Sequence, residues 1–153
     1  MNAATNELQE IYRQRVLDHS KHPHNFRQLP TPTHEALGFN PLCGDKLKIY
    51  LQMNDDHISD VAFEGTGCAI SVASASMMTE AIRGQSVAAA SKLIGAAQHI
   101  FSTGMPADNK ALDEVEALAG VSQYPSRIKC ASLAWSTAEA ALSGKTNQVS
   151  TEE

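Results

Sequence analysis

The clearest pattern in the chain is a strict alternation. Leu47, Ile49, Leu51 and Met53 fall on one side of an extended segment, with Lys46, Lys48, Tyr50 and Gln52 on the other. A period of two marks a half-buried strand. Asn54-Asp55-Asp56 supplies a turn, and residues 58–64 return as a second strand with Val61 and Phe63 toward the core, so the two form a hairpin. Ahead of it, Leu8, Ile11, Tyr12 and Leu17 keep a helical spacing over 6–20, with Thr5 or Asn6 as the N-cap. Prolines 23, 30, 32 and 41 make residues 21–41 an extended or looped passage, with room for a short strand over 35–39. Behind the hairpin the texture turns helical. One helix covers 69–83 and stops at Gly84. A second starts at the Ser86 cap and runs to His99 or Phe101, where Gly104-Met105-Pro106 breaks it. A third spans 111–119 up to Gly120. The last begins at Pro125 or Ser126, carries Ile128, Leu133, Trp135 and Leu142, and ends near Gly144. Strands followed by helices predict an α+β fold, a small antiparallel sheet packed against a layer of helices. No repeat or linker divides it. A single domain is expected over 1–144, with a flexible polar tail over 145–153.

Composition narrows the chemistry. The 153 residues carry 12 Lys and Arg against 17 Asp and Glu, a net charge of −5, and no basic run. A nucleic-acid ligand needs a concentrated basic footprint, so none is expected. One Trp, three Tyr and four Phe are too few for a base-stacking platform. No window nears the about 18 apolar residues of a membrane helix, and the N-terminus has no basic start or apolar run of a secretory signal. The expectation is a cytoplasmic protein with reduced thiols. Its three cysteines are then candidates for metal or sulfur chemistry rather than bridges.

Their placement sharpens this. Cys43 lies in a turn just before the alternating strand, and Cys68 follows the return strand where a helix begins. Antiparallel pairing therefore brings both to one end of the sheet. Asp45, two residues beyond Cys43 across a glycine, points the same way. Cys130 sits near the start of the last helix and joins only if that helix packs over this edge. Three thiolates and a carboxylate form a legitimate tetrahedral set for Zn²⁺. Cys68 at a helix start also gains from unpaired N–H groups that favour a thiolate. Taken singly, each cysteine reads equally well as a small buried hydrophobe. Spacing alone leaves a metal site and a thiol site both open.

Three blocks carry a family resemblance: Asn40-Pro41-Leu42-Cys43-Gly44-Asp45, then Phe63-Glu64-Gly65-Thr66-Gly67-Cys68-Ala69-Ile70-Ser71, then Arg127-Ile128-Lys129-Cys130. In order and content they resemble the signature blocks of the NifU N-terminal/IscU family, and the likeness runs from Leu8 to Leu142. Lys129 stands where the classical scaffold branch has histidine. An extra segment over 104–123 precedes the third cysteine. Both are similar to the SufU branch. The resemblance implies a SufE/NifU-like fold and a zinc-dependent sulfurtransferase that accepts persulfide sulfur from a SufS-type cysteine desulfurase. It also implies downstream iron–sulfur assembly proteins as further partners. The zinc ligands it implies are Cys43, Asp45, Cys68 and Cys130. Cys43 would be the catalytic acceptor, displaced from the metal when a partner histidine takes its place. The alternative it carries is a scaffold building a transient [2Fe–2S] or [4Fe–4S] cluster on the same ligands. Arg127 matches a family arginine and is assigned to steady Asp45 or the attacking sulfur. Lys129 offers at most a compensating charge beside thiolates. His19, His22 and His24, interrupted by Pro23, read as surface histidines, and His99 as a satisfied structural histidine on an apolar helix face. Met77 and Met78 read as helix core.

Overall fold

In the computed structural model the backbone is described for residues 3–144 and 149–150, and side chains for residues 7–144. β2 (Asp45–Asn54) and β3 (His57–Thr66) pair antiparallel from Lys46 with Thr66 to Asn54 with His57, closing the expected hairpin. Asp55 turns it with a φ of 56°, a left-handed position that Asp tolerates. On the other edge of β2, β1 (His34–Asn40) pairs antiparallel from His34 with Leu51 to Asn40 with Asp45. Leu47, Ile49 and Leu51 are fully buried, as are Val61 and Phe63. A register shift at Gln52/Met53 ends the alternation, which leaves Met53 only half-buried. Tyr50, on the face predicted to be polar, is buried against Leu29 and Ala62. The looped passage runs along the outer edge of β3, with Phe63 N–H donating to Asn25 O and Arg27 N–H to Phe63 O, before Leu29 packs on that face.

The core-facing side of the sheet is covered by α2 (Ala69–Ile82) and α4 (Pro125–Leu142), with α1 (Ala3–Lys21) and α3 (Val87–Thr103) packed around them. α2 buries ten of its residues, from Ser71 to Ile82. A helix enclosed on nearly every side needs small side chains to let its neighbours approach, which explains its run of Ala and Ser. Met77 and Met78 fill the space between. Its contact with α4 is polar. Trp135 Nε1 donates to Ser74 Oγ at 2.9 Å, and Ser74 Oγ donates to Ala131 O at 2.6 Å. The indole and the hydroxyl are thus satisfied inside the core, and α2 is keyed to α4.

The structure departs from the sequence expectations at several points. α1 begins at Ala3, so the proposed caps Thr5 and Asn6 lie inside it. The expected helix over 111–119 is two 3-10 segments, Lys110–Leu112 and Val115–Gln123, and the second runs through Gly120. It stops at Tyr124 (φ −133°, ψ 100°), the residue before Pro125, where the proline ring disfavours helical backbone. His99 is exposed, not a buried structural histidine. Within the expected flexible tail, β4 (Val149–Ser150) pairs parallel with Gly38 and Phe39 on the otherwise open edge of β1. Residues 145–148 and 151–153 lie outside the described residues. Among the described residues no helix is long and apolar enough to cross a membrane.

One close approach holds the site-bearing elements together. A Cβ at Gly38 in β1 would lie 2.1 Å from Thr137 Oγ1 and 3.0 Å from Leu133 Cδ1 of α4. Gly38→Ala is therefore expected to cost about 1–3 kcal/mol in urea unfolding through overpacking. Unchanged stability would show that α4 does not need this contact.

Candidate metal and thiol centre

The site forms where four elements end together. Asn40, the last residue of β1, pairs with Asp45, the first of β2. The turn between them is closed by Cys43 N–H donating to Asn40 O at 3.2 Å, with Gly44 at a φ of 71°. This leaves Cys43 exposed at the turn. Cys68 is the N-cap of α2, and its Sγ accepts from Ser71 N–H at 3.4 Å. The two cysteines therefore sit at one end of the sheet, as antiparallel pairing requires. Cys130, in the second turn of α4, comes over this edge and is buried. Its Sγ donates to Cys43 Sγ at 3.3 Å.

Asp45 is 1% exposed, and each of its oxygens is engaged. Oδ1 accepts from Cys68 N–H at 2.8 Å, and Oδ2 accepts from Asn40 Nδ2 at 3.2 Å. Gly67 makes the first of these possible, since a Cβ there would lie 2.7 Å from Asp45 Oδ1. A carboxylate oxygen has more than one lone pair, so each still has capacity for another partner.

The ligating atoms of Cys43, Asp45 and Cys130 lie within 4.8 Å of one another. Cys68 is outside this tight group, its sulfur drawn to its own helix terminus. It is still near enough to act on Cys130. Burial pushes the Cys130 thiol far up, and the hydrogen bond with Cys43, the Cys68 sulfur and the Asp45 carboxylate push it further the same way. A cation held among these atoms would offset the negative charge that gathers there and favour the Cys130 thiolate. Thiolate with carboxylate is a donor set that suits zinc or an iron–sulfur centre. The residues fit a metal.

Other sequence-predicted residues take different places. The Arg127 guanidinium lies 4.4 Å from the centre of the Tyr124 ring, and the donors to Asp45 are Asn40 and Cys68 instead. Lys129 is half-buried just before Cys130. His19 is buried, not on the surface, because the end of α1 packs against α2. Its Nδ1 meets Ser76 Oγ at 2.7 Å and its Nε2 meets Glu114 Oε2 at 3.3 Å. His24 stacks on it with ring centres 4.7 Å apart and pairs with Glu80, while His22 is exposed. This histidine pair lines a separate cavity of about 530 Å³ and does not join the cysteines. Asn40 had no predicted role, yet it touches both Asp45 and Cys130. Its only sequence signal is its position at the head of the first cysteine block.

Comparison with known proteins agrees with this geometry. The NifU-like N terminal domain model matches residues 11–144. The chain is 41% identical over 136 residues to the zinc-dependent sulfurtransferase SufU of Bacillus subtilis, covering 86% of this chain and 89% of that protein. It is 40% identical over 144 residues to the iron-sulfur cluster assembly scaffold protein IscU of Streptococcus pyogenes, covering 94% and 90%. A crystal structure described as an iron-sulfur cluster assembly scaffold protein for the SUF system, from Fervidobacterium islandicum, superposes with a TM-score of 0.79 at 34% identity, over 87% of this chain and 97% of that one. A NifU-like N-terminal structure from Brucella abortus shares the fold, with a TM-score of 0.80 at 23% identity over 90% of this chain and 95% of that one. With its three cysteine blocks on this α+β frame, the chain belongs to the NifU-like N-terminal domain family of iron–sulfur cluster assembly proteins, which takes in SufU and IscU.

Proposed function

We propose that the protein is a zinc-dependent sulfurtransferase that takes sulfur from the persulfide of a cysteine desulfurase onto Cys43 and passes it toward iron–sulfur cluster assembly in the reducing cytoplasm. The observation that carries this is an asymmetry of access. Cys43 is exposed at a turn, while its neighbours Asp45 and Cys130 are buried. A partner can reach one sulfur and not the other. Leu42 beside it is 59% exposed, and a cavity of about 500 Å³ lined by Phe39, Pro41, Asp45, Lys46 and Thr66 opens next to the turn. The partner's cysteine therefore has room to approach. The name of the Bacillus subtilis relative supports both the metal and the reaction.

Cys43, Asp45, Cys68 and Cys130 would hold the zinc, with Cys68 brought in from its cap position. When bound, zinc keeps the coordinated thiols deprotonated near neutral pH. The transfer is a thiolate exchange. The Cys43 thiolate attacks the terminal sulfur of the partner's R–S–SH, a new S–S bond forms on Cys43, and the partner's S–S bond breaks. R–S⁻ leaves and Cys43–S–SH remains, with no electrons gained or lost overall. Arg127, three residues before Cys130 on the exposed first turn of α4, would steady the attacking sulfur rather than Asp45, whose donors are Asn40 and Cys68.

A second reading is favoured by the Streptococcus pyogenes relative, whose name is that of a scaffold. It would use the same donors for an iron–sulfur cluster. Protein purified without oxygen is expected to be colourless and to carry one zinc per chain by elemental analysis. A brown protein with visible sulfur-to-iron absorption would establish the scaffold reading instead. Cys43→Ser is expected to abolish persulfide on this chain and to lower its stimulation of desulfurase turnover at least about a hundredfold, as removing a nucleophile does. Persulfide trapping with mass mapping and a cysteine-dependent sulfide assay read these outcomes. A Cys43→Ser protein that still collects persulfide at wild-type level would rule out the sulfur-acceptor role.

A further inference from the structure

Asn40 is fully buried beneath the centre, and its carboxamide uses both N–H groups on neighbours already named. Nδ2 donates to Asp45 Oδ2 at 3.2 Å and to Cys130 Sγ at 3.3 Å, joining β1 to two residues far apart in sequence. Its backbone oxygen holds the Cys43 turn. The opposite amide orientation would aim Oδ1 at a carboxylate and a sulfur, so the network itself sets which way the group points. The remaining atom, Asn40 Oδ1, is buried and has no partner among the described residues. An unpaired buried acceptor is unfavourable. A residue kept only to fill this space would do better as an apolar side chain of the same shape.

We propose that Asn40 is a positioning residue that holds Asp45 and Cys130 in place as ligands of the centre, beside Cys68 held by the Ser71 N–H, so that Cys43 is the one thiol left free to exchange. The inference rests on the metal reading given above. Each of the other two sulfurs has an N–H donor: Asn40 for Cys130 and Ser71 N–H for Cys68. Such a bond orients the sulfur and spreads its charge, so the ligand stays in place. Among the described residues the Cys43 sulfur has only the Cys130 thiol, a donor lost once both sulfurs bind a cation. It is the least anchored of the three and the most accessible. Asn40 thus acts through other residues and never touches the transferred sulfur.

The test uses zinc-loaded full-length protein with Asn40→Leu, which keeps the volume, and Asn40→Asp, which keeps the shape but not the donors. Both are expected to release zinc to a chromophoric chelator about 10–100 times faster than wild type. Iodoacetamide mapping should change from Cys43 alone to Cys43 and Cys130. The metal-free Asn40→Leu protein is expected to melt below wild type, because Asp45 Oδ2 loses its donor, so zinc release is read at a temperature where circular dichroism shows the variant folded. Wild-type zinc retention and an unlabelled Cys130 in a folded Asn40→Leu variant would overturn the proposal. A spectrum of wild-type protein loaded with ¹¹³Cd serves if the variants fold poorly. The Asn40 carboxamide protons should then couple to cadmium through the Cys130 sulfur. Cadmium bound at Cys130 without that coupling overturns the positioning role alone, whereas no thiolate-bound cadmium at all overturns the metal reading and this inference with it.

Discussion

The buried carboxylate of Asp45 is the constraint on which the centre depends. It starts β2, pairs across the sheet with the last residue of β1, and receives the backbone N–H that opens α2. Through Asn40 it is tied to Cys130 on α4. A charge with almost no exposure persists in a protein only when it is hydrogen-bonded or paired. Here the two donors come from different elements, β1 and the start of α2, and one of them also reaches α4, so satisfying the charge and assembling the site are the same event. Gly67 belongs to this arrangement because any side chain there would collide with the carboxylate.

Around this corner the fold separates rigid support from chemical access. β2 and β3 bury Leu47, Ile49, Leu51, Val61 and Phe63 under α2 and α4, and Trp135 is hydrogen-bonded to Ser74 between the two helices. Packing of this kind leaves little freedom for Cys130, which rides on α4. Cys43 sits at a turn that meets solvent. Of two sulfurs 3.3 Å apart, one is therefore held by the core and the other by a loop. That difference is what the proposed sulfur transfer needs.

The hairpin was legible because its alternation is a local property with a fixed period, and Cys43 and Cys68 inherit their common end from it. The helix ends marked by Ser86 and Gly104 were legible for a similar reason, since capping is decided within a turn. The 3-10 character of Val115–Gln123 was not, because a sequence window over 111–119 looks equally helical either way and the turn before Pro125 decides the end. His19 read as a surface residue because burial beneath Ser76 and Glu114 depends on how α1 meets α2, which no spacing encodes.

By itself, then, the sequence determined the α+β order, the hairpin, the three cysteine blocks and the family to which they belong. Local periodicity and short motifs carry that information. Only the tertiary structure decided that α4 crosses the sheet edge to place Cys130 against Cys43, and that Asn40 rather than Arg127 serves Asp45. It also showed that the two histidines of the 19–24 segment that come together do so in a cavity of their own. These are contacts between residues tens of positions apart. They arise because burying the apolar faces of α2 and α4 on one sheet brings the polar groups at its end within hydrogen-bond reach of one another.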